Sequence, residues 1–235
     1  MCGKLLKKAG MMKSIELKND RLKTLLSSTI ELFYNDTIRQ VSKRCKEKKD
    51  DLIKDHDARS DEYLMKAFTL NAADYGWPRA LRGTGFSDMM HLIPNSKYTD
   101  GIAKITSRIG KFLGTPNQAL TMYYPEDGYI GWHHNGNASG YNILMTHSMD
   151  GEGGFSFWDY KSKSIMTIPD KIGWSVKVGY YPDLKAEPGR IYWHMAKTKN
   201  PRISIAWVLN QKIMWKNMID EITSGDYDHE DILGQ

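Results

Sequence analysis

In the stretch YIGWHHNGNASG (residues 129–140), two imidazoles, His133 and His134, are followed directly by the amide of Asn135. A further imidazole, His194, closes the run RIYWH far downstream. A mononuclear metal centre with two imidazoles and one carboxylate on one face keeps its other positions open for small molecules. Two of the three ligands commonly sit one residue apart where a strand ends, so that their side chains converge. The third comes from a distant strand. His133 and Asn135 have the first spacing and His194 supplies the distant partner. The expected carboxylate is missing, because an asparagine stands in its place.

A second constellation follows in RISIAWVLN. If this run is extended, Arg202, Ser204, Ala206 and Val208 share one face, and Ile203, Ile205, Trp207 and Leu209 share the other. A guanidinium on a strand's inner face needs an anionic partner, since burying it alone is costly. A dicarboxylate co-substrate would supply one through a two-pronged pair, with the Ser204 hydroxyl as an added donor.

These side chains need strands to hold them, and the second half of the chain supplies strand-like runs. ALTMYY, YNILMTHS, GFSFWDY, SIMTIP, GWSVKVGYY, RIYWH and RISIAWVLN are short, β-rich and separated by Gly, Pro, Asp and Asn. They predict a β-sandwich of jelly-roll type. Upstream, Ile15, Leu17, Leu22, Leu25, Leu26, Ile30, Phe33, Ile38 and Val41 recur at helical spacing between Ser14 and about Lys54. Ser60 is an N-cap candidate for SDEYLMKAF. TDGIAKITSRIGKFLG predicts a helix capped by Thr99 or Asp100, with a stripe of Ile102, Ile105, Ile109 and Leu113, and a stop at Gly114. The intervening YGWPRALRGTG reads as a covering loop, and a short helix is expected around Met214 to Ile222. The expected organisation is an N-terminal helical region (1–115), a β core (116–217) and an acidic tail (218–235).

Composition narrows the class. The chain has 235 residues, 40% of them hydrophobic, enough for a full core. No apolar run reaches the roughly 20 residues that span a bilayer, and no signal-peptide core is present. Cys2 and Cys45 form no CxxC pair, which argues against a disulfide scaffold or thiolate zinc site. A cytoplasmic protein with no membrane partner is expected. Residues 1–60 hold 15 Lys or Arg against 9 Asp or Glu, whereas the remainder holds 18 against 19. The densest basic run is Lys43 to Lys49. It offers phosphate contacts to a nucleic acid, or else forms a solvated helix face, which is the commoner use of such a run.

The order YYPEDGYIGWHHN, GGFSFWD, YWH and PRISIAW resembles the Fe(II)/2-oxoglutarate-dependent oxygenases. It is most similar to their AlkB-like and prolyl-hydroxylase-like branches, and the Trp-His-X-Asn stretch is also similar to that of phage proteins. The likeness runs from about residue 118 to 210 and includes Tyr124, Gly128, Ile130, His133, His194, Arg202 and Ser204. It implies a double-stranded β-helix, Fe(II) and 2-oxoglutarate, and O2-dependent oxidation of a substrate with release of succinate and CO2. His133, Asn135 and His194 would be the metal-binding and catalytic residues. Arg202, Ser204 and Tyr124 would hold the co-substrate, Tyr124 being preferred over Tyr123 on the family match alone.

The family has Asp where this chain has Asn135, and four readings follow. Asn135 is a ligand in an unusual branch; or His133 and His134 bind together with His194; or His134 and Gly136 form a halogenase-like His-X-Gly; or the site is catalytically degenerate and the fold serves as a binding or structural module. The first is preferred. The substrate reading divides between a nucleic acid or nucleotide and a protein side chain. Trp132 and Trp193 flank the proposed ligands and are core by default; Asn142 and His147 are candidates for the pocket or for a polar outer face.

Overall fold

The computed structural model describes residues 12–136, 138–187 and 191–225. In chain order the elements are β1 (Lys13–Ile15), α1 (Asp20–Ser27), α2 (Ile30–Phe33), α3 (Asp36–Arg44), α4 (Asp61–Ala67) and a 3-10 turn (Ala72–Tyr75). Then come β2 (Leu81–Arg82), β3 (Thr84–Gly85), α5 (Phe86–Leu92) and α6 (Lys97–Phe112). The β region comprises β4 (Gln118–Tyr124), β5 (Tyr129–His133), β6 (Gly140–Ser148), β7 (Gly153–Asp159), β8 (Ser164–Pro169), β9 (Gly173–Tyr181), β10 (His194–Thr198) and β11 (Arg202–Leu209), and α7 (Lys212–Thr223) follows.

Two antiparallel sheets face each other. One has the order β1-β9-β6-β11-β4-β3 and the other β2-β5-β10-β7-β8. From β4 onward the chain crosses repeatedly between them, so that strands distant in sequence become neighbours. This is the jelly-roll connectivity of a double-stranded β-helix, in a protein that is mainly β with N-terminal helices.

Period-two alternation assigns the two faces of the larger sheet. Ile203, Ile205, Trp207 and Leu209 of β11 pack with Ile143, Met145, Val176 and Val178 beneath the helices. Those helices contribute Leu22, Leu26, Phe33, Ile38, Ile102 and Ile109 to the same layer. Each such fully buried aliphatic side chain is worth about 1.5–3 kcal/mol, which makes this layer the main store of hydrophobic stability. The smaller sheet is covered by α4 and the 3-10 turn, through Tyr63, Leu64, Tyr75, Trp132 and Trp193. Between the sheets the apolar set is thinner, and charged and hydroxylated residues fill the remainder.

Several sequence expectations need correction. Residues 13–15 form an edge strand on β9 before the first helix, and the helical stretch is three short helices ending at Arg44. Asn19 and Asn35 cap α1 and α3 by accepting from Leu22 N and Ile38 N, which breaks the apparent continuity of the pattern. Ser60 caps α4 as expected. Helix α6 is capped by Ser96, with Thr99 reaching back to it, so it starts a turn earlier than read. The Gly-rich segment supplies β2 and β3 and leads into α5, whose first turn is held by Asp88 Oδ2 accepting from Gly85 N. His194 opens β10 and does not end a strand, because the pairing with Phe157 starts there. The helix expected around Met214 to Ile222 is α7, and the tail from 226 onward lies outside the described residues.

Candidate metal and anion site

Simple alternation along β5 from Ile130 would turn His133 away from the interior. The register prevents this. His133 faces His194 and Ile130 faces Ala196, so three steps on β5 span two steps on β10. This bulge lets both Ile130 and His133 point inward while Trp132 points out into the α4 layer. Gly128 shapes the preceding turn: a Cβ there would lie 2.7 Å from Pro125 O, which only glycine avoids.

The rings of His133 and His194 are 4.2 Å apart, centroid to centroid, and both residues are 3% exposed. Each ring is oriented by its own strand. His133 Nδ1 donates to Gly131 O at 2.8 Å and His194 Nδ1 donates to Tyr192 O at 2.9 Å. In a neutral imidazole this leaves the lone pair on Nε2. Burial pushes the His133 imidazolium pKa down to about 4 and that of His194 well below its ordinary value. Both rings are therefore neutral, as metal ligation requires. His194 is also clamped between Tyr181, stacked at 4.7 Å and 7°, and Phe155 at 5.3 Å.

Asn135 completes the group. Its backbone φ is +50°, a left-handed conformation that asparagine tolerates better than most residues. Its Nδ2 lies 3.4 Å from His194 Nε2. Rotating the terminal amide by half a turn would present Oδ1 there instead. Among the described residues no three His, Cys, Asp or Glu side chains form a metal-holding group; beside the two imidazoles stands this amide. Two neutral imidazole lone pairs and an amide oxygen nonetheless fit a divalent ion.

His134 points the other way. Its Nε2 donates to Ala72 O at 2.6 Å, its Nδ1 accepts from Gly136 N at 3.0 Å, and its ring sits edge-on to Trp193. With both nitrogens engaged by the backbone, His134 has no free ligand atom. That removes the physical basis of the His133–His134 and His134–Gly136 readings.

The loop that carries His134 and Asn135 is anchored from outside the barrel. His134 N donates to Tyr75 O at 3.0 Å, and the Tyr75 hydroxyl donates to the buried Asp50 at 3.1 Å. Asp50 also accepts from Tyr63 Oη at 2.6 Å, Arg79 Nε at 2.9 Å and Leu52 N at 2.8 Å. Burial by itself would raise the Asp50 carboxyl, but these donors together hold it below the ordinary carboxylate range. Its contribution to stability is thus complete above about pH 4, the unfolded value, and is lost as pH falls through the lower folded one. Asp50→Asn is expected to cost about 1–3 kcal/mol, because at least one buried donor loses its acceptor. Urea unfolding at neutral pH measures it, and a cost near zero would remove Asp50 as the anchor.

The second constellation faces the same interior. Arg202, Ser204 and Ala206 point between the sheets, and Tyr124 lies there too, its ring 5.5 Å from the Arg202 guanidinium. Tyr123 packs on the helix side instead. Arg202 was expected to await an external anion, but the protein itself provides one. Asp170, from the β8–β9 turn, lies 2.9 Å from Arg202 Nε and accepts from Lys177 Nζ at 2.8 Å. Thr146 Oγ1 is 3.4 Å from Arg202 Nη2, and the buried Ser204 hydroxyl has no hydrogen-bond partner among the described residues. Asp170, Lys177, Thr146 and Tyr181 were missed in the sequence. Only the inward phase of β9, read from Val176 and Val178 facing out, signals Lys177.

The remaining candidates separate cleanly. Asn142 faces inward and donates to Gly140 O, whereas His147 is on the helix side against Tyr34. Trp132 and Trp193 belong to the outer layer and do not line the space between His133 and His194. In the basic run, Lys43 and Arg44 lie in the last turn of α3, where cations complement the helix end, and Lys48 Nζ donates to Pro78 O. No helix among the described residues is long and apolar enough to cross a membrane.

No protein-family profile and no curated sequence matches the chain. Solved structures are similar in outline. One is a Pseudomonas putida prolyl-4-hydroxylase, 8% identical, with TM-score 0.38 over 88% of this chain and 95% of that one. A Trichoplax adhaerens prolyl hydroxylase, solved with a hypoxia-inducible-factor peptide fragment, is 12% identical, with TM-score 0.42 over 88% and 86%. A viral collagen prolyl hydroxylase from Paramecium bursaria Chlorella virus-1, solved with 2OG, is 14% identical, with TM-score 0.32 over 64% and 89%. At these values the likeness concerns fold alone.

Proposed function

We propose that the protein is an Fe(II)- and 2-oxoglutarate-dependent oxygenase in which Asn135 replaces the usual carboxylate ligand. The observation that carries this reading is the pairing of His133 with His194, each held by its own backbone so that a neutral Nε2 lone pair faces the barrel interior. A cationic subsite on the same interior supports it, reached from His194 through Tyr181 and Tyr124 to Arg202. Bound iron would supply O2 activation and oxidative decarboxylation of the 2-oxo acid. His133, His194 and Asn135 would hold it. Arg202, Ser204 and Tyr124 would orient the far carboxylate, and the closely packed aromatic wall of Phe155, Tyr181 and Tyr192 would exclude water around His194.

The substrate is proposed only as a group small enough to enter this interior, carried on a nucleic acid, a nucleotide or a protein side chain. The competing reading, a degenerate binding module, differs in one measurable respect. Anaerobic Fe(II) with 2-oxoglutarate should give the weak visible charge-transfer band of a chelated 2-oxo acid, and its absence at saturating concentrations of both would favour the module. Arg202→Lys should weaken 2-oxoglutarate binding by about tenfold, since a point charge does not replace a planar fork. An affinity unchanged in both Arg202→Lys and Arg202→Ala would leave the arginine a structural part of the Asp170 cluster.

A further inference from the structure

His133 and His194 are shut away from solvent, and Phe155, Tyr181 and Tyr192 around His194 are buried with them. A molecule reaches their nitrogens only if some part of the surrounding wall moves. Most of that wall is strand held in a ladder. One part of it is built differently.

Just ahead of β1, Met12 enters the space between the sheets and belongs to the cluster of Leu144, Phe155, Phe157, Tyr181 and Tyr192. Gly179 makes room for it. Val176 and Val178 of β9 pack towards the helices, so alternation puts Gly179 on the inner face with Lys177 and Tyr181. A Cβ at 179 would lie 2.6 Å from Met12 Sδ, 3.0 Å from its Cα and 3.2 Å from its N. The last two are backbone atoms, which cannot swing aside as a side chain does. The Met12 N–H donates to Tyr192 Oη at 2.9 Å. The Tyr192 ring in turn lies 5.5 Å from that of Tyr181 and 5.6 Å from that of His194, centroid to centroid. A single hydrogen-bonded contact thus ties the start of the chain to the aromatic stack on His194. Behind Met12, β1 is three residues long and, among the described strands, pairs with β9 only. So short an edge ladder is held more weakly than the two-sided strands, and segments held in this way open locally before the rest.

We infer that Met12 is a gate residue: the strap formed by Met12 and β1 closes the interior beside Tyr192, and lifting Met12 off Gly179 admits molecules to His133 and His194. Met12 suits the task, because an unbranched thioether side chain fills an irregular gap and leaves it without a large rearrangement. Small molecules pass when the side chain swings out, and bulkier ones need β1 to peel from β9. The inference rests on the oxygenase reading only for the identity of what passes; the gate itself stands on the packing of Met12, Gly179 and Tyr192.

The test is modification of the full-length, metal-free chain by diethyl pyrocarbonate, which acylates accessible neutral imidazoles, read as the mass of the peptide containing each histidine. Exposed His56 and His91 give the rate of an open imidazole, and His194 in wild type should react far more slowly. Tyr192→Phe keeps the stack but removes the acceptor of the Met12 N–H, and should speed His194 labelling by about two- to tenfold, the shift that loss of one hydrogen bond produces. Met12→Gly removes the covering side chain, and Gly179→Ala drives the strap off through the contacts above. Each should speed labelling by about tenfold or more, with thermal melts confirming a folded protein. His134, turned the other way onto Ala72 O, should stay protected in every variant. Labelling of wild-type His194 as fast as His56, or unchanged in folded Met12→Gly and Tyr192→Phe, overturns the gate. A rise shared by His134 reports general loosening and overturns it too. No iron or 2-oxo acid takes part, so these outcomes leave the oxygenase reading to its own spectroscopic test.

Discussion

His194→Phe should abolish stoichiometric binding of a divalent metal while leaving the protein folded. The expectation follows from how His194 is held. Its ring is stacked on Tyr181 at 4.7 Å and packed against Phe155 at 5.3 Å, so a phenyl ring fits the same slot and no cavity opens. What is lost is the ring's two nitrogens, the Nε2 lone pair and the Nδ1 hydrogen bond to Tyr192 O, the latter at a cost of about 1–3 kcal/mol. His194→Ala would also remove the ligand, but it would open a hole in the aromatic stack and cost about 2–5 kcal/mol, the range for large-to-small core changes. The two variants together separate loss of a ligand from loss of fold. His133→Ala should likewise lose the metal, since Asn135 and one imidazole cannot hold a divalent ion alone.

The same burial fixes the pH behaviour. Both rings have folded-state pKa values below their ordinary value, so between pH 6.5 and about 4 the unfolded chain binds more protons than the folded one. Stability is therefore greatest above 6.5 and declines as pH falls through that window. His194→Phe should flatten this decline. Metal content by mass spectrometry and unfolding at pH 7 and pH 5 check both parts. One metal ion retained per chain in folded His194→Phe would take His194 out of the site.

Much of this arrangement is legible in the amino-acid sequence. The inward phase of Arg202, Ser204 and Ala206 is set by the hydrophobicity of Ile203, Ile205 and Trp207, and period two leaves no alternative. His133 was harder. Its inward direction depends on a bulge, and an extra residue in a strand leaves no compositional mark beyond Gly131. Asp170 could not have been found by spacing. It enters the barrel from a turn, and only tertiary structure brings a turn residue to Arg202 across the sheets. His134 shows the reverse error. Its type and position suggested a ligand, but the backbone of a distant 3-10 turn claims it. Single-residue chemistry was thus readable where a regular strand carried it, and unreadable where a loop delivered it.

Asn135→Asp should tighten Fe(II) binding on the order of a hundredfold, because a hard anionic oxygen would complete the facial triad and offset part of the ion's charge in a buried site. The substitution is nearly isosteric, and aspartate shares asparagine's tolerance of the left-handed backbone at φ +50°, so the loop should keep its shape. The metal-free variant should behave differently. A carboxylate 3.4 Å from His194 Nε2 would face a lone pair where the amide donates a proton, and one of the two must take up a proton or move apart. Apo Asn135→Asp should accordingly be less stable than the apo wild type, and the metal-loaded variant more stable than the loaded wild type. This crossing of stabilities is what a ligand role requires and what a merely structural amide would not produce. One control is chemical. Asn135 precedes Gly136, a pair prone to deamidation, so the mass of the peptide containing residue 135 must show an intact amide in the wild-type sample. With that established, equal Fe(II) affinity in Asn135→Asp and wild type would remove Asn135 from the ligand set. The two histidines would then hold the ion with water in the third position, and the loop amide would serve only to orient His194.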